Sequence, residues 1–372
     1  MASRCGLRSR VTHYVAVAAP RQSRREPPTR GDRPVVTLRF LADQLGLSPA
    51  SISLVLNHAP AAAAIPRTTQ QRIRDIARRF DYRPNAVARS LRRQRSLTVG
   101  VMLPEISEGY GSAVMRGVED YLLQEGYLYF VASHRHRADL LEEYTQLMLA
   151  RAVEGLLAID TPCPRPIGVP VVAVSGHDHT RGVTNVVLNH DHAASIGLEH
   201  LIALGHRRIA FIKGQSFSSD TATRWNAIAR AARRLKLRID PKLVVQLEGD
   251  SPSPDLGYLT VRELLDTGIT FSALFAFNDI SAIGAMRALR ERNLRVPEDV
   301  SVLGFDDIQT AEFQNPPLST IRQPLRRMGE IAAETLLQRI AATPCPRQIS
   351  VDPELVARQS TGGAPEAIGR SR

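Results

Sequence analysis

Eight short aliphatic runs, at residues 98–103, 128–132, 155–159, 171–174, 208–213, 243–246, 273–276 and 300–305, alternate with helix-length segments in this 372-residue chain. Runs of four to six β-branched or aliphatic residues between amphipathic helices demand parallel sheets with helices on both faces, since such strands have no side fit for water. The region is about 260 residues long, ample for two lobes with separate cores. Ligands of such sheets lie beyond the carboxyl ends of the strands, so the loops after the runs are the places to look for a site. No solenoid-period repeat is evident, and no run approaches the ~18 apolar residues that span a membrane.

Ahead of this region the pattern changes from strand runs to helix. Leu38, Leu41, Ala42 and Leu45 recur at helical spacing after Thr37, an N-cap, and Gly46 stops that helix. Ser48-Pro49 reads as a second N-cap with proline at the first helical position, where its missing N–H costs nothing. On this second helix Ile52, Val55 and Leu56 face inward, leaving Pro49, Ala50, Ser51, Ser53, Leu54 and Asn57 on or near the outer face. The spacing predicts a third helix over 68–80, with Ile73, Ile76, Ala77 and Phe80 inside and Arg72, Arg74, Arg78 and Arg79 beside water. Two helices over a tight glycine turn with a third as support form a helix-turn-helix, and an ordinary three-helix bundle is the alternative. Charge decides between them. Residues 1–97 hold 19 Lys+Arg against 5 Asp+Glu, net +14, whereas residues 98–372 hold 29 against 32, net −3. A basic end on a slightly acidic body suits a polyanion, and phosphate contacts are the usual use of that asymmetry.

Gly46-Leu47-Ser48, Ile52-Ser53, Val55-Leu56-Asn57 and the stretch from Tyr82 through Arg83-Pro84-Asn85-Ala86 to Ala88-Arg89-Ser90-Leu91 resemble the headpiece and hinge of the LacI/GalR (lactose-repressor) family of bacterial transcription regulators. The resemblance runs from about Thr37 to Ser360. It implies an α/β core of two doubly wound parallel-sheet lobes, of the type I periplasmic-binding-protein kind, behind an N-terminal all-α helix-turn-helix headpiece. By position it places Pro49, Ala50 and Leu54 at base edges. None can make a bidentate hydrogen bond, so apolar contact such as with thymine methyls is expected there. Ser48, Ser51, Ser53 and Asn57 are better placed for phosphates. Residues 84–93 resemble a hinge helix, with Asn85 and Ala88 on it and Leu91 matching a leucine wedged into a central base step; a plain linker with one exposed leucine is the alternative. The alanine-rich stretch of residues 58–66 looks longer than is usual in the family.

In the core the resemblance implies an effector cleft touched by Tyr110, Arg224 and Asp279. Tyr110 would stack on a ligand, Arg224 would bind it or serve as a surface ion-pair partner, and Asp279 would accept hydrogen bonds from it, a role compatible with capping a helix. Gly111, Asn189-His190 and Glu108-Gly109 depart from the family pattern at the cleft. Gly304-Phe305-Asp306-Asp307-Ile308 and the segment from Pro317 to Pro324 match the final strand and a crossover, supporting the fold more than identifying a ligand.

Other chemistry is less well supported. Gly109-Tyr110-Gly111 lacks the third glycine of a dinucleotide fingerprint, and the second strand run carries no acidic residue for a ribose. His177-Asp178-His179 and His190-Asp191-His192 offer metal-ligand chemistry, but histidine-rich surface loops mostly bind nothing, so no metal and no cofactor are expected. No Gly-x-Ser-x-Gly elbow or HExxH motif occurs, and no catalytic residue is assigned. Cys5, Cys163 and Cys345 are few, odd in number and far apart, which fits a reducing cytosol. Arg4, Arg8 and Arg10 ahead of an apolar stretch imitate a signal peptide faintly, but Thr12 and His13 interrupt it and an arginine-rich run follows. The expected organisation is a disordered basic extension at 1–35, a DNA-binding domain at 36–83, hinge and linker at 84–97, the two-lobed core at 98–358 and a flexible tail at 359–372. The expected protein is a cytoplasmic homodimeric repressor that binds a pseudo-palindromic operator and a small-molecule effector, a sugar or sugar derivative by family default. A solute-binding protein and an enzyme are the competing classes.

Overall fold

The computed structural model describes residues 36–57, 59–82, 95–106, 109–176, 180–250 and 253–365. The chain divides into two compact units, Met1–Asn85 and Ala86–Arg372. The hinge residues Asn85, Ala88 and Leu91, the 1–35 extension, Glu108 and the His177-Asp178-His179 run lie outside the described residues.

In the first unit, α1 (Leu38–Leu45) is capped by Thr37, whose Oγ1 accepts the Phe40 N–H at 3.1 Å. It ends at Gly46, where a φ of 65° strains any residue with a Cβ. α2 (Pro49–Leu56) begins at Ser48, whose Oγ accepts the Ser51 N–H at 3.1 Å. α3 (Arg67–Arg79) closes a core of Leu41, Ala42, Ile52, Val55, Ile73 and Ala77. The alanine-rich stretch winds into a 3-10 turn, Pro60–Ala64, and buries Ala62. Gln70 Nε2 on α3 donates to the carbonyls of Ala62 and Ile65, both at 2.9 Å, so the stretch is fastened to the third helix.

The second unit holds two sheets. The first has β1 (Thr98–Leu103), β2 (Leu128–Ser133), β3 (Leu156–Ile159), β4 (Val171–Val174), β5 (Val183–Leu188) and β11 (Gln348–Val351), ordered β11-β5-β4-β3-β1-β2 and parallel throughout. The second has β6 (Ile209–Lys213), β7 (Val244–Gln246), β8 (Ala273–Phe275), β9 (Ser301–Asp306), β10 (Ser319–Arg322) and β12 (Glu354–Val356), ordered β12-β10-β9-β8-β6-β7, with β12 antiparallel to β10. Helices α4 (Tyr110–Gln124) and α10 (Leu325–Ile340) cover one face of the first sheet and α5 (Ala138–Ala150) the other. On the second sheet α6 (His190–Ala203) and α7 (Ser219–Arg234) cover one face, α8 (Pro254–Asp266) and α9 (Asp279–Glu291) the other. Each sheet is therefore apolar on both sides, as the strand runs require.

Among the described residues the chain passes between lobes after β5, after β10 and between β11 and β12. That routing sets the cleft between the lobes, at the carboxyl ends of both sheets. The C-terminal segment departs from the flexible tail expected at 359–372. Ser360 is buried, its carbonyl accepts the Val302 N–H at 2.7 Å, and its Oγ accepts the Ser319 N–H at 2.7 Å. Ala364 N–H reaches the Leu204 carbonyl at 2.7 Å, so the segment through Pro365 is part of the second lobe. Its glycines and prolines imitate a loose tail, but the strand edges at Ser301 and Ser319 supply the polar partners that hold it.

Each lobe has one helix pair in backbone contact. A Cβ at Gly117 on α4 would overlap the Arg326 carbonyl at the start of α10, and one at Gly284 on α9 would overlap the Pro254 carbonyl. Neither backbone can yield as a flexible side chain would. Gly117→Val is expected to lower stability by about 3 kcal/mol or more, by overpacking, whereas Gly168→Ala, in open space, stays within ~0.5 kcal/mol. Equal urea midpoints for the two variants would refute this packing.

Candidate functional site: the interlobe cleft and the headpiece face

On the headpiece, Pro49 and Ala50 are exposed at the start of α2. Ser48 and Ser51 bond each other at 2.9 Å between hydroxyls and are partly committed to capping. Leu54 is half-buried and packs against the headpiece core. Asn57 differs from its expected phosphate-facing role: its Nδ2 turns back on Ser53, donating to the carbonyl at 2.8 Å and to Oγ at 3.1 Å.

The cleft of the second unit is lined by strand ends and by two helix starts. Leu103 ends β1 with Pro104 and Glu105 after it, Asp160 follows β3, Phe277 and Asn278 follow β8, and Asp306 ends β9; Tyr110 comes from α4, and Asp220 and Arg224 from α7. The backbone is strained where it turns into the cleft: Asp160, Ser175 and Asp306 have φ of 43°, 56° and 111°. Tyr110 reaches across its lobe to Ser175, with hydroxyl oxygens 2.5 Å apart. Burial first, and then the Asp220 charge, holds the Tyr110 phenol well above its usual range, so it stays neutral. Gly111 lies beside it on the lining.

Arg224 is the centre of the site. It is 4% exposed, its guanidinium donates to Asp220 Oδ2 at 3.1 Å and to the Phe277 carbonyl, and its Cζ sits 3.7 Å from the Phe305 ring centroid and 4.3 Å from that of Phe277. Burying a guanidinium is tolerable because a carboxylate, a carbonyl and two ring faces replace its water. Its Nε has no hydrogen-bond partner among the described residues. Behind it, His190 Nε2 lies 3.3 Å from Asp220 Oδ1. His190, expected at the cleft rim, is thus a buried support, and Asn189 caps α6 by accepting the His192 N–H at 3.1 Å.

Asp279 does not reach the cleft. It is 0% exposed, because α9 starts at it and turns the carboxylate into the lobe, where Oδ1 accepts from Thr320 Oγ1 at 2.6 Å and Oδ2 from the Ile308 N–H at 2.9 Å. The carboxylates that do line the cleft are Asp160, Asp220 and Asp306, with Glu105 and Asp250 nearer its mouth. Sequence reading passed over Asp160 and Asp306. Their signal was position: each stands at the carboxyl end of a strand run. Asp306 accepts from Gln323 Nε2 at 2.6 Å. Ser219 joins the lobes, its Oγ lying 3.0 Å from Asp160 Oδ1 and 2.6 Å from the Ser175 carbonyl.

Burial pushes the Asp160 carboxyl up to about 7, helped by the Asp220 charge. Burial likewise raises Asp306 to about 7, against the pull of Arg224. Unfolded, such groups titrate near ~4. Between those values the folded chain keeps protons that the unfolded chain has released, so these two groups make stability fall as pH climbs from about 4 to about 7. Below ~4 both states are protonated and the contribution is fully present. Asp306→Asn should flatten this fall relative to the parent, read as the difference in urea midpoint between pH 5 and pH 7.5. Identical pH dependence in both proteins would contradict it.

Comparison with known proteins fits this geometry. A family model described as a periplasmic binding protein-like domain matches residues 198–361. The HTH-type transcriptional repressor PurR of Haemophilus influenzae is 30% identical over 339 residues, covering 88% of this chain and 98% of that protein. The repressor of the same name from Aliivibrio fischeri is 30% identical over 336 residues, with 88% and 98% covered. Among solved structures, the Lac repressor dimer bound to operator and the anti-inducer ONPF has a TM-score of 0.80 at 28% identity, covering 88% of this chain and 99% of that one. The transcriptional regulator CelR–cellobiose complex has a TM-score of 0.64 at 27% identity, covering 88% and 100%.

A helix-turn-helix unit and a two-lobed periplasmic-binding-protein-like core in one chain define a transcriptional regulator of the effector-controlled class. The chain belongs to the LacI/GalR family of transcriptional repressors. Among the described residues no helix is long and apolar enough to cross a membrane.

Proposed function

We propose that this protein is a cytoplasmic repressor that works as a homodimer on a pseudo-palindromic operator, and that a small metabolite in the interlobe cleft sets its affinity for that operator. The observation that carries the reading is the cleft itself: a polar cluster around Arg224, bridged between lobes by Ser219, in a chain whose basic excess is confined to its first 97 residues. A ligand that draws the two lobes together changes the spacing of whatever follows each headpiece, and a coupling of roughly 1–3 kcal/mol suffices to switch occupancy. Binding, not turnover, is the output.

On the DNA side, Pro49 and Ala50 are the residues we assign to base edges by apolar contact, with Leu54 contributing its exposed part. Ser48, Ser51 and Ser53 are assigned to phosphates, and Asn57 to holding Ser53 in place. Asn85, Ala88 and Leu91 are assigned to the minor groove, Leu91 as the wedge. On the effector side, Tyr110 and Arg224 are assigned to the ligand, and Asp306 takes the acceptor role that the family resemblance gave to Asp279.

The test is genome-wide binding of the purified protein to sheared host DNA at moderate salt, with Leu91→Ala alongside. Sharp peaks sharing a two-fold-symmetric site, lost in the variant, are expected. Diffuse binding in both proteins, falling steeply with salt, would defeat the operator assignment.

A further inference from the structure

We propose that the cleft takes an amino sugar, a ligand that carries both an ammonium group and hydroxyl oxygens, and that it refuses sugar acids and sugar phosphates. This rests on the reading of the cleft as the effector site, and it names the ligand class of that site.

Among the described residues that line the cleft, Glu105, Asp160, Asp220, Asp250 and Asp306 are acidic and Arg224 is the permanently cationic one. Arg224 is already committed to Asp220, to the Phe277 carbonyl and to two ring faces. His136 on the lining is held below its usual value by burial, so it stays neutral at pH 7. An incoming carboxylate or phosphate would therefore meet several acidic groups with, among the described residues, no second cation to offset its charge.

Asp160 and Asp306 face the opposite situation. Their side chains accept from neutral donors, Asp160 from Ser219 Oγ and Asp306 from Gln323 Nε2. The groups around them are Tyr110 from α4, Asp220 and Arg224 from α7, His190 from α6 behind Asp220, and Gln323 from the crossover. Asp220 is the one that Arg224 is bonded to, and the arginine's charge reaches Asp160 and Asp306 only through space. Among the described residues these two carboxylates are left with no cation bonded to them, and an ammonium with three N–H donors meets both. Phe217 and Phe277 add ring faces to the lining, Phe217 with its centroid 4.1 Å from that of His136. Ring faces beside carboxylates are the surroundings an ammonium prefers.

A second, independent feature calls for an oxygen on the same ligand. Arg224 is 4% exposed and lines the cleft, yet its Nε–H has no acceptor among the described residues. A buried donor without a partner is costly, and a sugar hydroxyl supplies the acceptor. Ammonium toward Asp160 and Asp306 with hydroxyl toward Arg224 is a pair of groups that a hexosamine carries.

The test is calorimetric titration of the full chain at pH 7, without DNA, with glucosamine, galactosamine and mannosamine, each against its neutral parent sugar and that sugar's 6-phosphate, with gluconate as the acid. At least one hexosamine should bind roughly tenfold or more tightly than its neutral parent, with no detectable binding of the 6-phosphates or gluconate. The Asp160→Asn/Asp306→Asn double variant should lose that preference, the hexosamine falling to or below the affinity that the same variant shows for the neutral parent. A neutral sugar binding as well as its amine, an acid or phosphate binding, or no hexosamine binding would each overturn the proposal. Operator binding, measured separately with and without the bound hexosamine, tests the regulator reading: selective binding without any change in DNA affinity would support the ligand class and sink the regulatory role.

Discussion

A guanidinium enclosed by two phenylalanine rings organises the second unit. Arg224 ties α7 to the end of β8 through the Phe277 carbonyl and to β9 through the Phe305 ring. A charge so deep is stable only with its partner, and Asp220, one turn earlier on the same helix, supplies it. His190 then packs behind Asp220 from the first turn of α6. The start of α7 is thereby fixed, and with it Ser219, the residue that reaches the other lobe. Removing the guanidinium would take from Asp220 the arginine one turn away and free the helix start together, so the site's shape and its charge are one property.

At Asp160 the bridge between lobes includes a hydroxyl with one proton and two acceptors in reach. Ser219 Oγ lies near Asp160 and near the Ser175 carbonyl. With Asp160 protonated, its acid proton goes to Ser219 while Ser219 donates to Ser175, and both bonds hold at once. With Asp160 ionised, the one hydroxyl proton is shared between two acceptors. Since burial keeps Asp160 near about 7, the bridge between lobes is sensitive to whatever stabilises the ionised form. A ligand that brings positive charge to Asp160 is thus coupled to the bridge through the carboxylate itself.

Much of the architecture is legible in the sequence because both secondary periods are strong. Thr37, Ser48-Pro49 and Gly46 mark helix ends by caps that the structure makes with measured bonds. Each of the eight aliphatic runs holds a strand, with ends that agree to within one residue. The missed strands have a physical reason. β5 is interrupted by Thr184 and Asn185, β10 carries Ser319 and Thr320 buried, and β11 and β12 are short edge strands whose faces are half exposed. The tail at Ser360 was illegible for the same cause: its order comes from distant strand edges, which local composition does not encode.

The site was legible in part, and Asp279 and Asp306 show where reading stops. Both stand at strand ends, and the rule that ligands lie beyond such ends selects either. What separates them is the next element. After β8 a helix begins at once, Asn278 caps it, and the first helical turn carries Asp279 inward to Thr320 and Ile308. After β9 no α-helix follows, the φ of 111° turns the chain at Asp306, and the carboxylate stays on the lining with Gln323 beside it. A backbone conformation that costs energy persists only where the surroundings impose it. At Asp306 the imposing groups are the crossover residue Gln323 and the Arg224 cluster, so the strain, the hinge between lobes and the acceptor for a ligand meet at one residue that sequence pattern alone treats as the end of a strand.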